Sequence, residues 1–290
     1  MVIDMNTQAL TIVENNFFIT ADDGYMLSAR CYSAPKPVAN IIVAGATGVP
    51  QEFYRRFAQY AAQKGYTTIT FDYRGIGRSK IGSLKGFNAS FLDWARLDLK
   101  AVVESTCHPE IPLYMVGHSF GGHAFGLIPN HYKIQKFYTF ATGAGWSGWM
   151  PKTEALRVQV MWNMVLPTLT KLKGYTPMSM LGMGEDLPYG VYAQWKHWCK
   201  NQHYFFDDPT VPEITKSFTQ IRTPIVAANA TDDLWATPKS RDAFMQGYKN
   251  APVICKDISL TSSMPKIGHM GYFRAHAVPL WDDVLDWFDL

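Results

Sequence analysis

A serine set between glycines is the feature of this 290-residue sequence best suited to covalent chemistry. Gly117-His118-Ser119-Phe120-Gly121-Gly122 follows the short apolar run Leu113–Val116 and precedes a helical stretch. A chain that reverses from strand to helix in so few residues holds its central residue in a strained backbone conformation. Side chains two before and two after it would clash, which explains glycine at both positions. The hydroxyl then stands at a helix N-terminus, where free N–H groups and the helix dipole favour negative charge. Such a hydroxyl is a poor nucleophile until a base takes its proton. Among eight histidines, His269 alone lies in a glycine-flanked loop, Lys266-Ile267-Gly268-His269-Met270-Gly271, beyond the last strand-like run. An acid must orient the imidazole and stabilise its charged form. Asp232 and Asp233 follow the run Ile225–Ala230. Adjacent residues near a strand end point in different directions, so one of the two faces His269. Counting from Pro224 favours Asp233, with Asp232 as the alternative.

Attack on a carbonyl also needs two N–H donors for the developing oxyanion. Phe120, directly after the serine, supplies one. The loop Ala44-Gly45-Ala46-Thr47-Gly48, at the end of the run Asn40–Ala44, supplies the other; Ala46 is the first choice and Thr47 the next.

The elements needed to hold these groups are legible as alternating strands and helices. A hairpin comes first: Asn16–Thr20, a turn at Asp22-Asp23-Gly24, and Met26–Ser33. Strand-like runs follow at Asn40–Ala44, Thr67–Phe71, Leu113–Val116 and Phe137–Ala141. Helical stretches are expected over Glu52–Lys64, over Phe91–Ser105 and after Gly121. From Gly143 to Pro212 the rhythm breaks. It resumes with Ile225–Ala230, a helix Pro238–Tyr248, a strand Val253–Leu260 and a last helix Ala277–Phe288. The pattern predicts an α/β fold, a mostly parallel sheet with helices on both faces. It divides the chain into a core, residues 1–142 and 213–290, and a helical cap, residues 143–212, inserted after the sixth strand over the sheet edge where ligands bind. Trp146, Trp149, Met150, Met161, Trp162, Met164, Met178, Met180 and Met183 make the cap rich in large adaptable side chains, so an apolar pocket is expected there.

Composition narrows the alternatives. Apolar residues are 47% and charged residues 18%, enough to bury a large core. Net charge is +3 with the basic residues scattered, which argues against a nucleic-acid surface. Cys31, Cys107, Cys199 and Cys255 lie far apart without a CxxC pair, and are read as buried free thiols in a reducing, cytoplasmic setting. Met1–Leu10 lacks the apolar core of a signal peptide, and no run is long enough for a membrane span. No metal or organic cofactor is expected.

Together these residues resemble the α/β-hydrolase superfamily over nearly the whole chain. Phe71-Asp72-Tyr73-Arg74-Gly75-Ile76-Gly77-Arg78-Ser79 is similar to that family's loop after strand four, often D-x-R-G-x-G-x-S. Trp195-Lys196-His197-Trp198-Cys199 and Gly268-His269-Met270-Gly271-Tyr272-Phe273-Arg274 resemble its serine aminopeptidase-like and esterase-like branch. The resemblance implies the chain order Ser119, then Asp233 or Asp232, then His269. It implies a serine hydrolase that cleaves a small-molecule carboxylic ester or related acyl bond through an acyl-enzyme, and the apolar pocket expected in the cap suits a substrate with an apolar group. A thioesterase, aminopeptidase or acyltransferase would use the same triad, and a binding protein of the same fold would have no use for it. One departure is clear: many relatives have His-Gly where this chain has Ala44-Gly45. A dehydrogenase reading of Gly45–Gly48 with Tyr132 and Lys136 is disfavoured. Gln51 occupies the place of the third loop glycine, and Lys136 adjoins a strand rather than sharing a helix face with Tyr132.

Overall fold

Eight strands form one sheet in the order β1-β2-β4-β3-β5-β6-β7-β8 in the computed structural model, which describes residues 12–290. The expectation for Met1–Leu10 lies outside the described residues. β1 (Val13–Thr20) and β2 (Met26–Ser33) are an antiparallel hairpin, and β2 pairs antiparallel with β4 (Thr67–Phe71). The remaining strands run parallel: β3 (Asn40–Ala44), β5 (Leu113–His118), β6 (Lys136–Phe140), β7 (Ile225–Ala230) and β8 (Val253–Ile258). The interior strands β3 and β7 are buried throughout, whereas the edge strands β1 and β8 are largely exposed. That contrast separates continuous apolar runs from alternating ones.

Both sheet faces are covered. Along β3, Ile41 and Val43 point into one core with Phe57, Phe140 and Trp281; Ile42 and Ala44 point into the other with Trp94, Phe125 and Phe244. Arg55–Gln63 and Val278–Asp289 supply helices to the first face. A continuous helix over residues 91–106, with a π-helical stretch at Trp94–Leu99, covers the second together with Phe120–Phe125 and Pro238–Met245. Between β6 and β7 the chain forms the helices Lys152–Val160, Leu166–Lys173, Tyr189–Trp198 and Glu213–Gln220. Among the described residues no helix is long and apolar enough to cross a membrane. The thiol expectation needs correction: all four cysteines are free, but Cys107 and Cys255 are exposed. Both sit where the chain meets solvent, Cys107 just past a helix end and Cys255 on the edge strand β8.

The loop after β4 is anchored by charge. Arg74 donates to Asp98 through Nε at 2.7 Å and to Asp23 at 2.6 Å, and its backbone N–H also reaches Asp98. The Arg74 side chain is 5% exposed and that of Asp98 fully buried. Removing one member leaves an uncompensated buried charge. Arg74→Ala is therefore expected to lose about 3–5 kcal/mol in urea unfolding. A loss under about 1 kcal/mol would show an ion pair of the surface kind.

Candidate active site

The strand order brings the loops after β3 and β5 side by side. These strands pair in parallel up to Ala44 opposite Gly117, and their onward connections run to opposite sides, from β3 to β4 and from β5 to β6. Such a switch point opens a crevice at the carboxyl ends of the strands. Ser119 sits there with φ 52 and ψ −110, a conformation costing about 1–3 kcal/mol in a non-glycine residue. The surrounding glycines are required by contact. A Cβ on Gly121 would lie 2.0 Å from the Ala44 carbonyl oxygen, and one on Gly122 1.8 Å from Thr142 Oγ1. The helix begins at Phe120, immediately after the serine, earlier than the glycine pair suggested.

The three expected residues meet. His269 Nε2 is 3.0 Å from Ser119 Oγ, and His269 Nδ1 is 2.9 Å and 3.1 Å from the two Asp233 oxygens. Asp233 also accepts the N–H groups of Trp235 at 3.0 Å and Ala236 at 2.9 Å. Burial raises its pKa, but the His269 charge and these hydrogen bonds outweigh burial and hold the carboxyl below its ordinary value. An ionised carboxylate only accepts, so Nδ1 carries the proton and Nε2 is free to accept the Ser119 hydroxyl proton. Burial disfavours charge on His269, yet the Asp233 carboxylate wins and holds the imidazole above 6.5. Asp232 does not reach the histidine. It accepts the N–H groups of Ile267 at 3.0 Å and Gly268 at 2.9 Å, fixing the loop that carries His269.

Ala46, the first choice for the second oxyanion donor, has a partner already. Its N–H donates to the Tyr54 hydroxyl at 2.7 Å and is thereby engaged. Among the described residues the N–H groups of Thr47 and Phe120 make no hydrogen bond. Nothing in the sequence pattern marked Tyr54, which lies within the helical stretch Glu52–Lys64.

Ser119 and His269 open into a cavity of about 500 Å³ walled by Met150, Trp162, Met178, Met183, Trp195 and Trp235. The first four belong to the Trp and Met set picked out by composition, whereas Met164 and Met180 are exposed. Trp235 Nε1–H donates to Glu154 at 2.6 Å, which ties the wall to the helix Lys152–Val160. Glu185 makes a second tie: its N–H donates to the Gly48 carbonyl at 2.8 Å, and its carboxylate accepts the Gly77 N–H at 2.7 Å. Neither tie was visible in the sequence, because both depend on loop geometry. Among the described residues no group of three metal-ligating side chains comes together.

Known proteins share this architecture. A family model described as serine aminopeptidase, S33, matches residues 35–178, a stretch that includes Ser119 but ends before Asp233 and His269. The fold also matches a soluble variant of monoglyceride lipase from Saccharomyces cerevisiae, solved with a substrate analog. The match covers 98% of this chain and 96% of that one, with a TM-score of 0.66 and 16% identity. The chain has the α/β-hydrolase fold. An esterase of Pyrococcus furiosus is similar over 100% of this chain and 94% of the esterase, with a TM-score of 0.64 and 14% identity. An uncharacterized abhydrolase domain-containing protein of Dictyostelium discoideum is 28% identical over 119 residues. That match takes in 41% of this chain and 12% of the longer protein.

Proposed function

We propose that the protein is a serine hydrolase that cleaves a carboxylic ester of an apolar acid through an acyl-enzyme. The observation that carries this reading is the unbroken line Ser119 Oγ, His269, Asp233 opening into an apolar cavity. The Ser119 Oγ–H proton passes to His269 Nε2 as Oγ bonds to the ester carbonyl carbon. The carbonyl π pair moves to oxygen, where the N–H groups of Phe120 and Thr47 receive it. Thr47 takes this role because the Ala46 N–H is engaged by Tyr54. The intermediate collapses as the carbon–oxygen bond to the alcohol breaks, and His269 returns the proton to the leaving alkoxide. Water repeats the sequence on the acyl-enzyme and releases the acid. Asp233 keeps the imidazole in the productive tautomer, and Asp232 holds its loop. Residues 143–212 serve as the cap, shaping the acyl pocket and tied to the core through Glu185 and Glu154. The four free thiols support a reducing, cytoplasmic setting.

A p-nitrophenyl ester series from acetate to decanoate tests this directly. Each methylene that enters the cavity removes apolar area worth about 0.8 kcal/mol, so kcat/KM should rise about fourfold per carbon until the cavity is full. Thioesters and aminoacyl amides of the same acids are expected to be poorer substrates. Turnover confined to thioesters or amides would overturn the ester assignment and leave the nucleophile in place.

A further inference from the structure

Tyr54 and His118 do not line the cavity, yet they connect its two catalytic loops. The Ala46 N–H donates to the Tyr54 hydroxyl at 2.7 Å, and that hydroxyl lies 2.9 Å from His118 Nδ1. On the other side of the ring, His118 Nε2 lies 2.9 Å from the carbonyl oxygen of His269. The two ends of this chain fix every proton within it. An amide N–H can only donate and a carbonyl can only accept. Nε2 therefore carries the imidazole proton, Nδ1 accepts, and the Tyr54 O–H donates to Nδ1 while accepting from Ala46. His118 must be neutral for this. Burial and the nearby His269 charge push its pKa down to about 3, outweighing the His269 carbonyl. Both rings are clamped by aromatic neighbours: Phe273 packs edge-on to Tyr54 at 4.8 Å, and Phe53 stacks on His118 at 6.3 Å.

We infer that Tyr54 and His118 are positioning residues: a strut that sets the distance between the oxyanion loop and the general-base loop. It commits the Ala46 N–H to structure and leaves the Thr47 N–H for the oxyanion. The strut explains how Ala44-Gly45 serves where many relatives have His-Gly. Support for the loop comes from Tyr54, whose ring would be 2.9 Å from a Cβ on Gly45. It also gives the histidine inside the elbow a purpose. His118 points away from Ser119's cavity and grips the backbone of the residue that takes the serine's proton.

The inference rests on Ser119 being the nucleophile, and the test separates the two ideas. Full-length wild type, Tyr54→Phe, His118→Leu, His118→Gln and Ser119→Ala are compared for steady-state hydrolysis of a p-nitrophenyl ester. Second-order labelling by a fluorophosphonate, whose phosphoryl oxygen also needs the oxyanion donors, is measured alongside. Misplacing a donor or base by a fraction of an ångström lowers rates steeply, so Tyr54→Phe and His118→Leu should lose about tenfold to a hundredfold in kcat and labelling with KM little changed. His118→Gln offers an amide N–H to the His269 carbonyl and an acceptor towards Tyr54, and should recover most of that loss. A residue that merely fills space would show no such rescue. Unchanged rates in Tyr54→Phe would overturn the strut. A faster Tyr54→Phe would also overturn it, showing the freed Ala46 N–H to be the better oxyanion donor. Should Tyr54→Phe fail to fold, equal rates in the two His118 variants would overturn the inference on their own. If Ser119→Ala abolishes labelling while Tyr54→Phe is unaffected, only the strut falls. Labelling that persists in Ser119→Ala removes both the nucleophile and the strut.

Discussion

Ser119→Ala is expected to lower kcat on p-nitrophenyl esters by about a million-fold, with KM close to wild type, because the triad acts as a unit and its loss is not divided among its members. The hydroxyl is the only part of the machinery that the substitution removes. Phe120 and Thr47 keep their N–H groups, His269 keeps Asp233, and the cavity walls keep their shape. Residual turnover above water would come from oxyanion stabilisation and binding alone. Folding should not suffer. Alanine at this position still carries the strained backbone with φ 52, and the glycines that permit the close approach of helix and sheet are untouched. Circular dichroism and thermal unfolding close to wild type would confirm that chemistry, and not structure, was lost. A variant that keeps more than about one per cent of wild-type kcat would mean that another group attacks the carbonyl.

Asp233→Asn is expected to cost about ten-thousandfold in kcat, through the tautomer of its neighbour. An asparagine side chain can present its NH₂ to His269 Nδ1, which then accepts. The ring proton moves to Nε2, and the serine hydroxyl loses its base. The pH profile should shift as well. General-base catalysis needs neutral His269, and Asp233 holds the imidazole pKa above 6.5. Wild-type kcat/KM should therefore fall on the acid side through an inflection above pH 6.5, with one proton taken up. Without the carboxylate charge, burial is left as the dominant influence and disfavours imidazolium. The residual activity of Asp233→Asn should lose its acid inflection from that range and persist to lower pH. Asp232→Asn supplies the contrast. It weakens two backbone hydrogen bonds to the His269 loop and should lower the rate without moving the inflection. If Asp232→Asn moved the inflection and Asp233→Asn did not, the two aspartates would exchange roles.

How far the sequence revealed this site depends on what positions each residue. Ser119 and His269 were legible because their chemistry imposes local spacing, a tight turn flanked by glycines and a loop beyond the last strand. The two aspartates were harder. Alternation along β7 ends at Ala230, and Asp232 and Asp233 lie in the turn beyond it, where strand counting no longer gives a direction. Which amide of Ala44–Gly48 stays free was not legible at all. It is decided by the Tyr54 hydroxyl, whose reach into the loop depends on the 3-10 turn Gln51–Tyr54 preceding the helix. Composition identified the apolar character of the segment 143–212 but not which side chains face inward. Met178 lines the cavity while Met180, two residues on, is 61% exposed. The sheet itself was the easiest part, since β3, β5 and β7 are short, mostly apolar runs and β4 is a β-branched one, each bounded by turn residues.

Mass spectrometry of the protein after reaction with a fluorophosphonate reads the proposed nucleophile without knowledge of the natural substrate. A single covalent adduct on the peptide carrying Ser119, absent in Ser119→Ala and formed far more slowly in Asp233→Asn, is the predicted result. No adduct on folded wild-type protein, or an adduct at another serine that survives Ser119→Ala, would contradict the serine-hydrolase mechanism.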